Sequence, residues 1–124
     1  MQPCLFNGMI NGIPVKSFEG EVVHDADPRY IILKLKIDDD YWMMDLTGIT
    51  NTPGTHAYTL VLKKHDGNTF VEHYSGETTQ QVFLNKKMPN IFGFFKSTIV
   101  VKDEDGKEIM VQGDFLWDTS RFTS

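Results

Sequence analysis

Apolar and polar residues alternate along most of this chain with a period of two, and no segment carries a sustained helical stripe. Side chains of a strand point alternately to opposite faces, so this pattern predicts a mostly β protein. In residues 30–37, YIILKLKI, one face holds Ile31, Leu33, Leu35 and Ile37 and the other Ile32, Lys34 and Lys36. The next run, YWMMDL, sets Trp42, Met44 and Leu46 against Tyr41, Met43 and Asp45. Asp38, Asp39 and Asp40 fall between the two runs, where the chain must reverse. Asp favours turns because its carboxylate accepts hydrogen bonds from nearby amides. A hairpin is predicted here.

Two further hairpins follow. AYTLVLKK places Tyr58, Leu60 and Leu62 on one face and leads through HDGN into TFVEHYS. Residues 97–102 then face residues 108–117 across the Asp105-Gly106 turn. Along that last arm Ile109, Val111, Gly113, Phe115 and Trp117 share a face, and the glycine inside it predicts a bulge or a close approach of another backbone. The opening stretch carries two Asn-Gly pairs and Pro14, which fits an edge strand or a kinked one; DADPR reads as a turn. Residues 76–96 show no clear alternation and are expected to be a long connection. Thr78 or Thr79 would cap one short helical turn running to Lys87, stopped ahead of Pro89. The expected fold is a single all-β domain over residues 1–124, an antiparallel β-sandwich or small barrel built of hairpins with at most one short helix.

Composition narrows the function. At 124 residues the chain has the size of one domain, and 40% hydrophobic residues can bury a core. Seventeen acidic against twelve basic residues give a charge of −5, which disfavours nucleic acid as a partner and favours a basic protein surface. The longest apolar runs, near residues 30–33 and 91–95, fall far short of the roughly 20 residues of a membrane helix. The start, MQPCLFNGMING, has neither a basic nor an apolar leader region, so the expected location is cytoplasmic; a periplasmic or lipid-anchored location is the alternative if a leader is missing. Cys4 is the sole cysteine, which excludes an intrachain disulfide and a cysteine-only zinc site.

The order of landmarks resembles a loose group of small, functionally uncharacterised bacterial all-β domains, many of them found in lipoproteins. The residues that carry the resemblance are FNGMINGIPV (6–15), TPGTHAYTL (52–60) and VQGDFLW (111–117). It implies a sandwich or barrel-like fold with no known catalytic site. The spacing in GTHAY departs from that group's pattern.

Catalytic signals are sparse. Acidic turns can supply oxygens to calcium, and Asp25, Asp27, Asp38, Asp39, Asp40, Asp103, Glu104 and Asp105 are the candidates. DEDGKE lacks the later ligands of a calcium loop, so hairpin tips are the preferred reading and no metal or cofactor is expected. His24, His56, His65 and His73 show no metal-ligand spacing. There is no nucleophile elbow or phosphate loop, and carboxylates such as Glu72 and Asp114 would have to meet across strands for glycoside chemistry. The expectation is a non-enzymatic protein that binds a protein partner, in the manner of an inhibitor, immunity or accessory protein. Its contact residues are taken from the aromatic and basic segment 83–95: Phe83, Lys86, Lys87, Met88, Ile91, Phe92 and Phe94. The alternative is a barrel carrying a small apolar ligand between Trp42, Met44, Leu60 and Trp117.

Overall fold

The computed structural model describes residues 4–23, 30–48, 53–85 and 92–118. Nine strands account for nearly all of them: β1 (Cys4–Ile10), β2 (Ile13–Lys16), β3 (Glu19–Val23), β4 (Tyr30–Ile37), β5 (Asp40–Thr47), β6 (Gly54–His65), β7 (Phe70–Asn85), β8 (Phe92–Lys102) and β9 (Glu108–Asp118). They form one antiparallel sheet in the order β2-β1-β9-β8-β7-β6-β5-β4-β3. The fold is all-β, and the described residues contain no helix.

The two ends of that order, β2 and β3, are consecutive in the chain and separated only by Ser17 and Phe18. β2 runs along β1, and β3 runs along β4. The handover occurs within one residue: the Ser17 amide donates to the Phe6 carbonyl at 2.9 Å, and the Phe18 amide to the Lys34 carbonyl at 3.0 Å. A Cβ on Gly20 of β3 would lie 2.5 Å from the Cys4 carbonyl oxygen of β1. The sheet edges therefore meet, and the sheet rolls into a barrel-like closure that leaves no long free edge there. Ser17 is buried at the seam, where its Oγ accepts from the Phe6 amide at 2.9 Å. Pro14, expected in an edge strand or a kinked one, lies within β2, the end strand of the order, opposite Met9, and the corner falls just after it at Ser17 and Phe18.

Inside lies one apolar core. Phe6, Ile31, Leu33, Leu35, Met44, Leu46, Tyr58, Leu60, Leu62, Val101, Val111, Phe115 and Trp117 are almost wholly excluded from water. Each large side chain so buried contributes about 1.5–3 kcal/mol. The pairings Leu33 with Met44 and Leu62 with Met44 set the anticipated apolar faces of three hairpin arms against one another.

Turn chemistry holds the hairpin tips at one end. Asn11 (φ 52°) and Gly12 (φ 79°) take the positive angles that a two-residue reversal between paired strands needs. Asp38 also turns with positive φ, at 54°. Asp66 Oδ1 accepts from the amides of Asn68 and Thr69, and Asp103 Oδ1 from those of Asp105 and Lys107.

One expectation fails. Thr78 and Thr79 do not cap a helical turn, because β7 continues through them as strand to Asn85, and residues 92–96, also expected to be connection, open β8. Alternation is present but masked: Tyr74, Gly76, Thr78, Gln80 and Val82 form the less exposed register, and Glu77, Thr79, Gln81 and Phe83 the exposed one. Two polar residues, Thr78 and Gln80, occupy the register that an apolar pattern search expects to be apolar; they bond to each other, Nε2 to Oγ1, at 3.2 Å. Gly113, by contrast, marks a close backbone approach as anticipated: it lies opposite Gly8, and a Cβ on it would sit 2.6 Å from the Gly8 Cα.

Candidate binding surfaces

The interior is occupied by side chains. Of the residues expected to line an apolar cavity, Met44, Leu60 and Trp117 are fully buried in the core, while Trp42 is half-buried at the barrel mouth. There a cavity of about 120 Å³ lies among Ile10, Ile13, Ile37, Trp42, Leu62, Tyr74 and Ile109. At the other end of β1, burial pushes the Cys4 thiol up to about 12, with the charge of Glu21 adding to the effect. The Tyr58 phenol is raised by burial as well.

On the outside, Phe83 of β7 pairs across strands with Phe94 of β8, their rings stacked at a centroid distance of 5.5 Å. Phe83 is 46% exposed. Lys86, Lys87, Met88 and Ile91 lie outside the described residues, and for Phe92 only the backbone is described, opposite Asn85 and Asp118.

The seam between β7 and β8 also carries a cleft. Ser75 lies opposite Lys102, the last residue of β8, so residues 70–74 of β7 overhang the end of their neighbour. A cleft of about 480 Å³ opens between Val71, Glu72, His73 and Ser75 on one wall and Lys102, Asp103, Glu104 and Asp105 on the other. Four acidic residues and one lysine thus line it, with the Asp103 carboxylate held by the amides of its own turn. The register shifts between Leu62 and Lys63 opposite this overhang, a bulge that leaves His73 between the Tyr74 and Glu72 pairs. From this cleft to the Phe83–Phe94 stack is eight residues of strand, about 27 Å.

The expected metal and carboxylate candidates are dispersed. Among the described residues no three His, Cys, Asp or Glu side chains come together as a metal site would require. Asp66 and Asp103 instead bind their own turns, and the Thr69 and Asn68 amides hold the Asp66 carboxyl below the usual carboxylate range. Glu72 lies opposite Lys63, whereas Asp114 lies between Asn7 and Lys96, two strands away. Asp25, Asp27 and His24 lie outside the described residues. His65 Nδ1 accepts from the Gly67 amide at 3.2 Å, and His73 sets its ring against Trp42 at 5.6 Å.

A second cleft, of about 290 Å³, is lined by Phe18, Glu19, Lys34, Tyr41, Trp42, His65 and Phe70. Its residues come from the barrel corner at Phe18 and from five neighbouring strands, β3 to β7. Phe18 meets Tyr41 edge-on at 6.1 Å, and His65 meets Phe70 at 5.0 Å. Ammonium groups cover two rings: Lys36 Nζ is 5.7 Å from the Tyr41 centroid and Lys64 Nζ 5.8 Å from that of Trp42, both within cation–π range. Charges around it are paired, Lys34 with Glu19 at 3.7 Å and Lys64 with Asp40 at 3.4 Å. Only Trp42 among its aromatic residues was anticipated as a site residue. The available signal was aromatic residues at outward strand positions, Tyr41 and Phe70.

Comparison with known proteins adds no assignment: no family model, curated protein or solved structure matches the chain.

Proposed function

We propose that the protein is a non-enzymatic binding protein whose acidic surface recognises a protein partner bearing basic residues. One observation supports this reading above the others: the cleft beside the β7 overhang, where Glu72, Asp103, Glu104 and Asp105 surround a space of about 480 Å³. Carboxylates on low-dielectric walls steer a basic partner to the site and fix its register. The overhang adds extended backbone beyond the end of β8, a platform on which an incoming extended segment gains main-chain hydrogen bonds. At the far end of the same seam the Phe83–Phe94 stack supplies the apolar part of the contact, with Lys86, Lys87, Met88, Ile91 and Phe92 adjoining it in sequence.

The test is native mass spectrometry of the protein purified from its host, for the wild type and for Glu72→Lys combined with Glu104→Lys. Both side chains are exposed, so the fold withstands the change. A protein complex that weakens with salt and disappears in the double variant supports the proposal; a complex indifferent to both rejects the acidic site. A second reading, the carrier of a small apolar ligand, draws on the mouth cavity beside Trp42. A small molecule that copurifies and is lost on Trp42→Ala would favour it.

A further inference from the structure

Resting on the acidic-surface reading, we propose that the edge of β7 at residues 70–74 takes a segment of the partner as an added strand, one in which Lys or Arg alternates with apolar residues. β7 begins at Phe70, whereas β8 ends at Lys102, opposite Ser75. Residues 70–74 therefore run along β6 on one side and have no β8 residue beside them on the other. An open strand edge presents backbone donors and acceptors that a further strand can satisfy. The cleft of about 480 Å³ is the lane in line with β8, and its size falls within the range of ligand sites. The turn after Lys102 does not run along it: the Asp103 amide bonds to the Lys107 carbonyl at 3.0 Å, and the chain returns as β9 on the far side of β8. An added strand that continues the direction of β8 is antiparallel to β7, the more stable of the two pairings.

Register supplies the pattern of the segment. Glu72 lies opposite Lys63 and Val71 opposite Lys64, so the two stand on opposite faces of β7, and both are exposed. An added strand sets every second side chain on the Glu72 face and the others on the Val71 face. A Lys or Arg opposite Glu72 gains a cross-strand ion pair, and an apolar residue opposite Val71 buries surface that is now 42% exposed. Glu104 and Asp105, exposed in the turn at the end of the lane, meet the next basic residue. Charge selects against a second copy of this chain as the occupant, because two walls carrying Glu72, Asp103, Glu104 and Asp105 repel and each chain has a charge of −5.

The probes are the peptide acetyl-TKVKVKT-amide, the scrambled acetyl-TKKVVKT-amide of equal charge, and two forms of the first that are N-methylated either on the lysines or on the valines. Each is titrated against the full chain and followed by NMR amide shifts. The expected result is saturable binding of the alternating peptide, with shifts centred on residues 70–75 and a Kd about tenfold below that of the scrambled one. Alternate amides of a strand point to opposite edges, so one N-methylated form should lose binding and the other keep it. Glu72→Lys, on the surface, should weaken binding about tenfold with an unchanged melting temperature. Equal binding of the alternating and scrambled peptides, or indifference to both N-methyl patterns, overturns strand addition and leaves the acidic-surface reading standing. Silence from every peptide also overturns it, while the complex purified from the host tests that reading separately. A homodimer whose shifts map to residues 70–75 would assign the edge to a second copy and overturn the proposal as well.

Discussion

Replacing Gly8 with Ala tests how closely the barrel wall is packed. Gly8 on β1 lies opposite Gly113 on β9. A methyl group there would press on the Gln112 carbonyl oxygen and lie 2.6 Å from the Gly113 Cα. Comfortable carbon contacts are about 3.5–4.0 Å, so the deficit is about 1 Å. Both obstacles are backbone, which cannot rotate aside as a flexible side chain would; β1 and β9 must part where their ladder is continuous from Cys4 to Ile10. Forcing a methyl group into a filled site costs about 1–3 kcal/mol. Losing the conformational freedom of glycine in the unfolded chain returns about 0.5 kcal/mol. The expected net loss is about 1–2 kcal/mol, or a fall in melting temperature of about 4–8 °C for a chain of this length. Urea unfolding followed by circular dichroism measures it, with Asn7→Ala as the control, since Asn7 is exposed on the same strand and should change stability by less than about 0.5 kcal/mol. Gly113→Ala presses on the same contact from the other side, so the two changes should be non-additive. A Gly8→Ala variant as stable as the wild type would refute the close approach.

Three further outcomes are expected. Ser17→Ala removes the acceptor of the Phe6 amide at the barrel seam and should cost about 1–3 kcal/mol, whereas Ser17→Thr, which keeps the hydroxyl, should cost less; equal losses in urea titrations would count against the seam bond. The Cys4 thiol, buried and held as the neutral form, should react with iodoacetamide at about pH 8 only after denaturant is added, and rapid labelling of the native protein would contradict its placement. The same group makes stability fall with alkali: the unfolded thiol loses its proton near 9.0 and the folded one at about 12, so between those values the unfolded state binds fewer protons and gains. Tyr58, raised from 10.0, acts in the same direction. Cys4→Ala should flatten that decline in urea midpoint, and an unaltered slope would exclude the thiol as its source.

The local features of this protein were written in its local sequence. Alternation in residues 30–37 and 41–46, with Asp38, Asp39 and Asp40 between them, was enough to specify the β4–β5 hairpin, because strand periodicity and turn chemistry act over a few residues, although only Asp38 and Asp39 form the turn and Asp40 opens β5 opposite Ile37. The Asp105-Gly106 turn and the close approach at Gly113 were legible for the same reason. The course of β7 was not: Thr78 and Gln80 stand in its less exposed register, and their mutual hydrogen bond, which makes that placement tolerable, is invisible until the strand exists. Barrel closure and the clefts depended on tertiary structure. Whether Ser17 and Phe18 join two sheets or close one depends on which strands they meet, and that is set by Phe6 and Lys34, distant in sequence. Likewise Phe18, Tyr41, His65 and Phe70 are separate surface aromatics along the chain, and only the rolling of the sheet gathers them beside Trp42. Period-two patterning selects which side of a strand is buried; sheet curvature and strand length decide which exposed residues become neighbours.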